Sequence, residues 1–115
     1  MGITVKVIDC MHGGPAQGIT GSLTRQYDGD WRSPVHGCTD EDGLLGGWQP
    51  DLSIARGVYR LELDVDRYYA TLGIMPFYPQ VVMVLRIADP AEDHNVFSLI
   101  TPYLNLTCRR EIAPR

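Results

Sequence analysis

Three side chains able to do chemistry stand near the two ends of the chain: the amine of Lys6, the amide of Asn95 and the thiol of Cys108. A lysine amine can form a Schiff base with a carbonyl, act as a base once desolvated, or pair with a carboxylate. An asparagine NH2 group can orient a carbonyl or stabilise developing oxyanion charge. A cysteine reacts as its thiolate, so Cys108 is a nucleophile only if a cation such as Lys6 or Arg109 stands close enough to favour that form. Each has a plainer reading: a solvated strand lysine, a polar strand residue, and a buried, inert thiol. Arg109 can hold an anionic substrate or the chain end, or simply be a solvated arginine. His12 lies in a glycine-rich turn, and alternation puts His94 on the opposite face from Asn95. His36-Gly37-Cys38 supplies two donors where zinc needs three or four, so Cys10 and Cys38 read as packing residues and no metal is expected. Gly13-Gly14 opens no helix and lacks a following Lys-Ser/Thr, so it is a turn and not a phosphate loop. No cofactor is expected.

The elements that must position these groups are strands. The chain has 115 residues, of which 44% are hydrophobic and 21% charged, a balance that suits one domain over residues 1–115. A net charge of -4, with no Lys/Arg block interleaved with aromatics, argues against a nucleic-acid partner. No apolar run approaches the roughly 18 residues of a membrane span, and Lys6 and Asp9 arrive too early for a signal peptide, so a cytoplasmic protein is expected. Three widely spaced cysteines fit free thiols in a reducing compartment.

Period-two alternation marks half-buried strands. In Ile3-Thr4-Val5-Lys6-Val7-Ile8-Asp9, Ile3, Val5 and Val7 share one face and Thr4, Lys6 and Ile8 the other. Further strands are expected over residues 19–26, 31–39, 59–64, 81–87, 95–101 and 104–110, with a short or edge strand after Gly46-Gly47 and Pro50. Asp42-Gly43 is a hairpin-type dipeptide. Arg60, Glu62 and Asp64 should face water. The pattern changes once, where Asp66 can cap a two-turn helix over 67–72 ended by Gly73. Together these describe an antiparallel β-sandwich with one helix.

The run Asp64-Val65-Asp66-Arg67-Tyr68-Tyr69-Ala70-Thr71-Leu72-Gly73-Ile74-Met75-Pro76-Phe77-Tyr78-Pro79 closely resembles the strand, short helix and Phe-Tyr-Pro turn of the transthyretin and 5-hydroxyisourate hydrolase family. Val5-Lys6-Val7-Ile8-Asp9, Gly13-Gly14-Pro15-Ala16, Thr39-Asp40-Glu41-Asp42-Gly43, Gly57-Val58-Tyr59-Arg60 and Thr101-Pro102-Tyr103 agree in order, so the likeness runs from about residue 3 to 109. The resemblance implies an all-β, eight-stranded Greek-key sandwich with one short helix. It also implies dimers formed by edge strands, and a homotetramer pierced by a channel for a small-molecule substrate or ligand. Lys6 and Ile8, Asn95, Phe97 and Leu99, and Leu106 and Cys108 are then expected to face that channel, with Leu44 and Arg109 also contacting the ligand.

The hydrolases' pattern is not kept. Their first-strand histidine falls on Lys6, the arginine after their Asp-Gly turn on Leu44, and the histidine of their penultimate strand on Asn95. Their terminal Tyr-Arg-Gly-Ser becomes Cys108-Arg109-Arg110-Glu111, followed by Ile112-Ala113-Pro114-Arg115. Imidazole suits water activation near neutral pH, whereas Asn95 cannot accept a proton and Lys6 serves only if its pKa falls far. Lys6 also resembles the lysine of the family's carriers at that place, and the resemblance implies that it meets anionic ligand groups near the channel mouth. The favoured expectation is a divergent hydroxyisourate-hydrolase-like enzyme of specialised metabolism. It would open, cyclise or condense a small heterocyclic or carbonyl substrate, with Lys6 as acid/base or imine-forming residue, Asn95 as orienting group and Cys108 as a third catalytic candidate. The alternatives are a non-catalytic carrier or sensor, or an ordinary hydroxyisourate hydrolase of purine catabolism with a rearranged site.

Overall fold

The structure, a computed structural model, describes residues 2–45 and 54–110. In chain order these residues form β1 (Ile3–Asp9), β2 (Gly14–Pro15), β3 (Thr20–Tyr27), β4 (Asp30–Cys38), β5 (Leu44–Leu45), β6 (Gly57–Asp64), α1 (Val65–Ala70), β7 (Gln80–Ile87), β8 (His94–Ile100) and β9 (Asn105–Arg110). One sheet runs β2-β1-β8-β9 with β5 also on β1, and the other runs β4-β3-β6-β7. The all-β sandwich with one short helix is therefore as expected. The strand expected after Gly46-Gly47, and the chain end beyond Arg110, lie outside the described residues.

Alternation builds the core. Ile3, Val5 and Val7 of β1, Leu23 of β3, Tyr59, Leu61 and Leu63 of β6, and Val96 and Ile100 of β8 turn into one buried cluster between the sheets. Burying each such side chain contributes about 1.5–3 kcal/mol before conformational entropy is set against it. Residues of opposite parity in the first sheet form its outer face. In the second sheet the outer face carries Arg60 and Glu62, whose side chains pair at 2.9 Å. Pro34 lies in β4, an edge strand, where its missing N–H costs least.

Three details differ from the sequence reading. The sheets are not wholly antiparallel: β1 and β8 run parallel along their whole lengths, from Ile3 opposite His94 to Asp9 opposite Ile100. Most of the chain separates these strands, so no hairpin dictates their direction. Nine strands rather than eight occur among the described residues, because two-residue segments share the outer edge of β1: β5 lies against Val5 and Lys6, and β2 against Ile8 and Asp9. The helix also begins earlier than expected. Asp64, the last residue of β6, keeps extended geometry, and its carboxylate accepts the N–H of Arg67 at 3.1 Å. Asp66 therefore sits inside the first turn, where its charge favours the helix N-terminus. The carbonyl of Pro79 takes the N–H groups of Val65 and Asp66 and ties the helix to the start of β7.

Candidate functional site

The outer face of the first sheet gathers most of the chemically able residues. Register fixes their order. Leu44, Lys6, Phe97 and Cys108 form one row across β5, β1, β8 and β9. Ile8, Leu99 and Leu106 form the next row, and Thr4 and Asn95 flank Lys6 on the other side. With strands about 4.8 Å apart, the backbones of Lys6 and Cys108 lie roughly 10 Å from each other, with Phe97 between. Lys6, Ile8, Asn95, Phe97 and Leu99 are half-buried, while Leu106 and Cys108 are exposed. Among the described side chains the face is thus largely apolar, with the Thr4 hydroxyl, the Lys6 amine, the Asn95 amide and the Cys108 thiol set into it, and the register places Arg110 opposite Asn95.

Lys6 is the only lysine of the sequence. Among the described residues its amine has no hydrogen-bond or ion-pair partner. Its backbone is held rigidly, because β1 is paired with β8 along one edge and with β5 along the other. Leu44 is placed by its turn. Gly43 adopts φ +75°, its N–H reaches the Asp40 carbonyl at 2.9 Å, and the Asp40 carboxylate accepts the N–H groups of Asp42 and Leu44. The Asp-Gly signal in the sequence therefore marks the turn that carries Leu44 beside Lys6.

Arg109 does not join this face. It stands opposite Val96, on the other side of β9 from Cys108, and its guanidinium reaches the Glu92 carboxylate at 3.5 Å. All three histidines also lie elsewhere. His12 and His36 are exposed on other parts of the surface. His94 is 7% exposed, on the face opposite Asn95, with Nε2 at 2.9 Å from the Asp89 carbonyl. None of them can act as a base beside Lys6. The cysteines correct another expectation: Cys10, Cys38 and Cys108 are all free and exposed, not buried packing residues. Cys108 is exposed because its parity on β9 turns it away from the core. Among the described residues no group of three or more His, Cys, Asp or Glu side chains is arranged to hold a metal.

Beneath the face lies a polar cluster that the sequence reading passed over. Asp9 is fully buried, and its carboxylate accepts four hydrogen bonds. The donors are the hydroxyls of Tyr68 at 2.9 Å and Tyr69 at 3.0 Å, and the N–H groups of Met11 at 3.0 Å and His12 at 3.2 Å. Burial, then the bond to Asp9, then its negative charge push the Tyr68 phenol up to about 12, and the same causes push Tyr69 up as well. The cluster joins the end of β1 to α1 and fixes the turn that follows β1. The signal was present, since Asp9 shares the parity of Ile3, Val5 and Val7, and a carboxylate at an inward position must find donors.

A family model described as the HIUase/Transthyretin family matches residues 3–109. A crystal structure of sea bream transthyretin in complex with thyroxine superposes with a TM-score of 0.89 at 24% identity, covering 100% of this chain and 99% of that one. A structure of transthyretin from Sparus aurata gives a TM-score of 0.86 at 25% identity, covering 94% of this chain and 95% of that one. The strand order, the short helix after β6 and the family match over nearly the whole sequence lead to one conclusion: the chain belongs to the HIUase/Transthyretin family.

Proposed function

We propose that the protein binds a small, ring-containing anion on the outer face of its first sheet, between copies of the chain assembled as a homotetramer, and releases it unchanged. One observation carries this reading: Lys6, a cation without a described partner, is set among Leu44, Ile8, Phe97 and Leu99 on a rigid sheet. Apolar surface with a few polar points is the usual composition of a small-molecule site. In one chain this face is an open surface, and a second copy facing it would enclose a ligand. A transthyretin of this fold is seen in complex with thyroxine, which supports a carrier-like reading of this protein. Hydroxyisourate hydrolysis is disfavoured because every histidine lies away from Lys6 and Asn95 cannot take a proton.

The test is binding of benzoate and of thyroxine to the wild-type protein and to Lys6→Met, with the probe recovered afterwards and analysed. Loss of a charge-assisted contact is expected to weaken binding about tenfold, with the probe chemically intact. Equal affinity in the two proteins overturns the reading.

A second reading is favoured by a specific feature, the presence of an amine and an exposed thiol in one row, Lys6 and Cys108, with Asn95 close by. In this reading the site is catalytic and Lys6 forms an imine with a carbonyl substrate. Incubation with metabolite extract and borohydride, followed by intact-mass measurement, distinguishes the two. Because Lys6 is the only lysine, an adduct mapped to a lysine side chain identifies both the residue and the substrate mass. An unmodified Lys6 leaves the carrier reading in place.

A further inference from the structure

A cleft of about 530 Å³ opens on the second sheet, lined by Arg56, Gly57, Val58, Arg86, Ile87 and Ala88. Its position follows from register. Val58 faces Arg86 across β6 and β7, and the Nε of Arg56 donates to the carbonyl of Ala88 at 3.0 Å. Arg56, in the bend just before β6, therefore stands at the same end of the sheet as Arg86, and both arginines line the cleft.

Like charges lining one cleft repel, and here nothing described neutralises them. Among the described residues neither Arg56 nor Arg86 has a carboxylate partner, and the cleft has no acidic residue in its lining. The nearest carboxylate in sequence, Asp89, is turned to its own loop and accepts the N–H of Ala91 at 2.9 Å. Positive charge is reinforced from behind, where an Nη of Arg25 donates to the Arg56 carbonyl at 2.9 Å. Arg25 itself lies over the rings of Tyr27 and Tyr59, so its charge is held in place. In a chain of net charge -4, this corner is a local reversal of sign that attracts anions.

We infer that the Arg56–Arg86 cleft is an anion-binding site, separate from the Lys6 face, for a phosphate or carboxylate group carried on a small apolar body. Two guanidinium groups with free N–H donors match an oxyanion that offers two acceptor oxygens. Val58 and Ala88 supply apolar surface for the rest of the molecule, while Ile87 contributes only its backbone, since its side chain is buried in the core. The occupant is a small molecule because the cleft is that size and the second sheet carries no wider basic surface: Arg60 is already paired with Glu62, and Arg32 with Asp30.

The experiment is a titration of the isotope-labelled protein with inorganic phosphate, phenyl phosphate and benzoate, followed by amide and arginine side-chain NMR shifts. Saturable shifts are expected at Gly57, Ala88 and the two arginine Nε–H groups, with phenyl phosphate binding more tightly than inorganic phosphate. Arg86→Gln and Arg56→Gln should each weaken binding at least fivefold. Both side chains are exposed, so these variants fold. Lys6→Met should leave these shifts unchanged, which separates this site from the proposed carrier face. Shifts that do not saturate, or that persist equally in Arg86→Gln, overturn the inference.

Discussion

Asp9 shows how a single residue can hold two elements together. Each tyrosine must keep its proton to donate to the carboxylate, so folding raises both phenols above their ordinary value of about 10. The stability that this linkage supplies is complete below about pH 10 and is lost as pH rises through the folded values. Spectroscopic titration should therefore find two of the six tyrosines ionising late, together with alkaline unfolding. Tyr69→Phe should remove one late phenol and lower stability by about 1.5–3 kcal/mol, the range for a hydrogen bond to a charged group. A Tyr69→Phe protein that keeps the full number of late phenols would show that Tyr69 is not one of them. At this scale alternation was a good guide. It turned Lys6, Ile8, Asn95 and Phe97 to one face, and it also pointed inward at Asp9, where the carboxylate was read as the end of a strand instead of as a buried acceptor. The same rule separates Arg109 from Cys108, since adjacent strand residues cannot share a face.

At the scale of elements, the outer edge of β1 is covered by two short segments instead of one long strand, and the turn before β5 fixes where Leu44 meets Lys6. The carbonyl of Gly43 accepts the N–H of Val7 at 2.8 Å, so the turn is bonded directly to the strand it serves. A Cβ at Gly43 would press against the carbonyl oxygen of Val7, and the residue also holds φ +75°. Gly29 has φ +84° but open space around it. Gly43→Ala should therefore cost roughly 1–3 kcal/mol and exceed the loss in Gly29→Ala, which pays for backbone conformation alone. Denaturant midpoints of the two variants check this, and equal losses would mean that the close approach to Val7 is relieved without cost. The Asp-Gly turn was legible because its backbone demand is local. The parallel pairing of β1 with β8 was not, because it depends on how distant segments return. The helix start was displaced for a local reason that pattern reading blurs: Asp64 and Asp66 are both good caps, and only the extended geometry at Asp64 chooses between them.

For the whole molecule, the decisive surface is the one that a single chain leaves uncovered. The apolar rows of the first sheet continue to Leu106, 58% exposed, and to Tyr103 and Leu104, 74% and 65% exposed, in the turn before β9. That turn adjoins the segment carrying Phe77, because the N–H of Phe77 donates to the Pro102 carbonyl at 2.7 Å; Phe77 is itself 71% exposed. In the proposed homotetramer, these exposed apolar residues are where a second copy would pack. Leu106 contributes little to the core, so Leu106→Asp should change the stability of the folded chain by less than about 1 kcal/mol. In an assembly it would place a carboxylate in an apolar contact, where an unpaired charge is expensive. Sedimentation at tens of micromolar should accordingly show the wild-type protein as an oligomer and Leu106→Asp as a 12.8 kDa monomer with an unchanged circular dichroism spectrum. The same variant should lose the Lys6-dependent part of benzoate binding although Lys6 is intact, because a ligand seated between copies has no site on one copy alone, whereas binding at the Arg56–Arg86 cleft should persist. A wild-type monomer that still binds through Lys6 would place the whole site on a single sheet, and the assembled channel would then have no part in it.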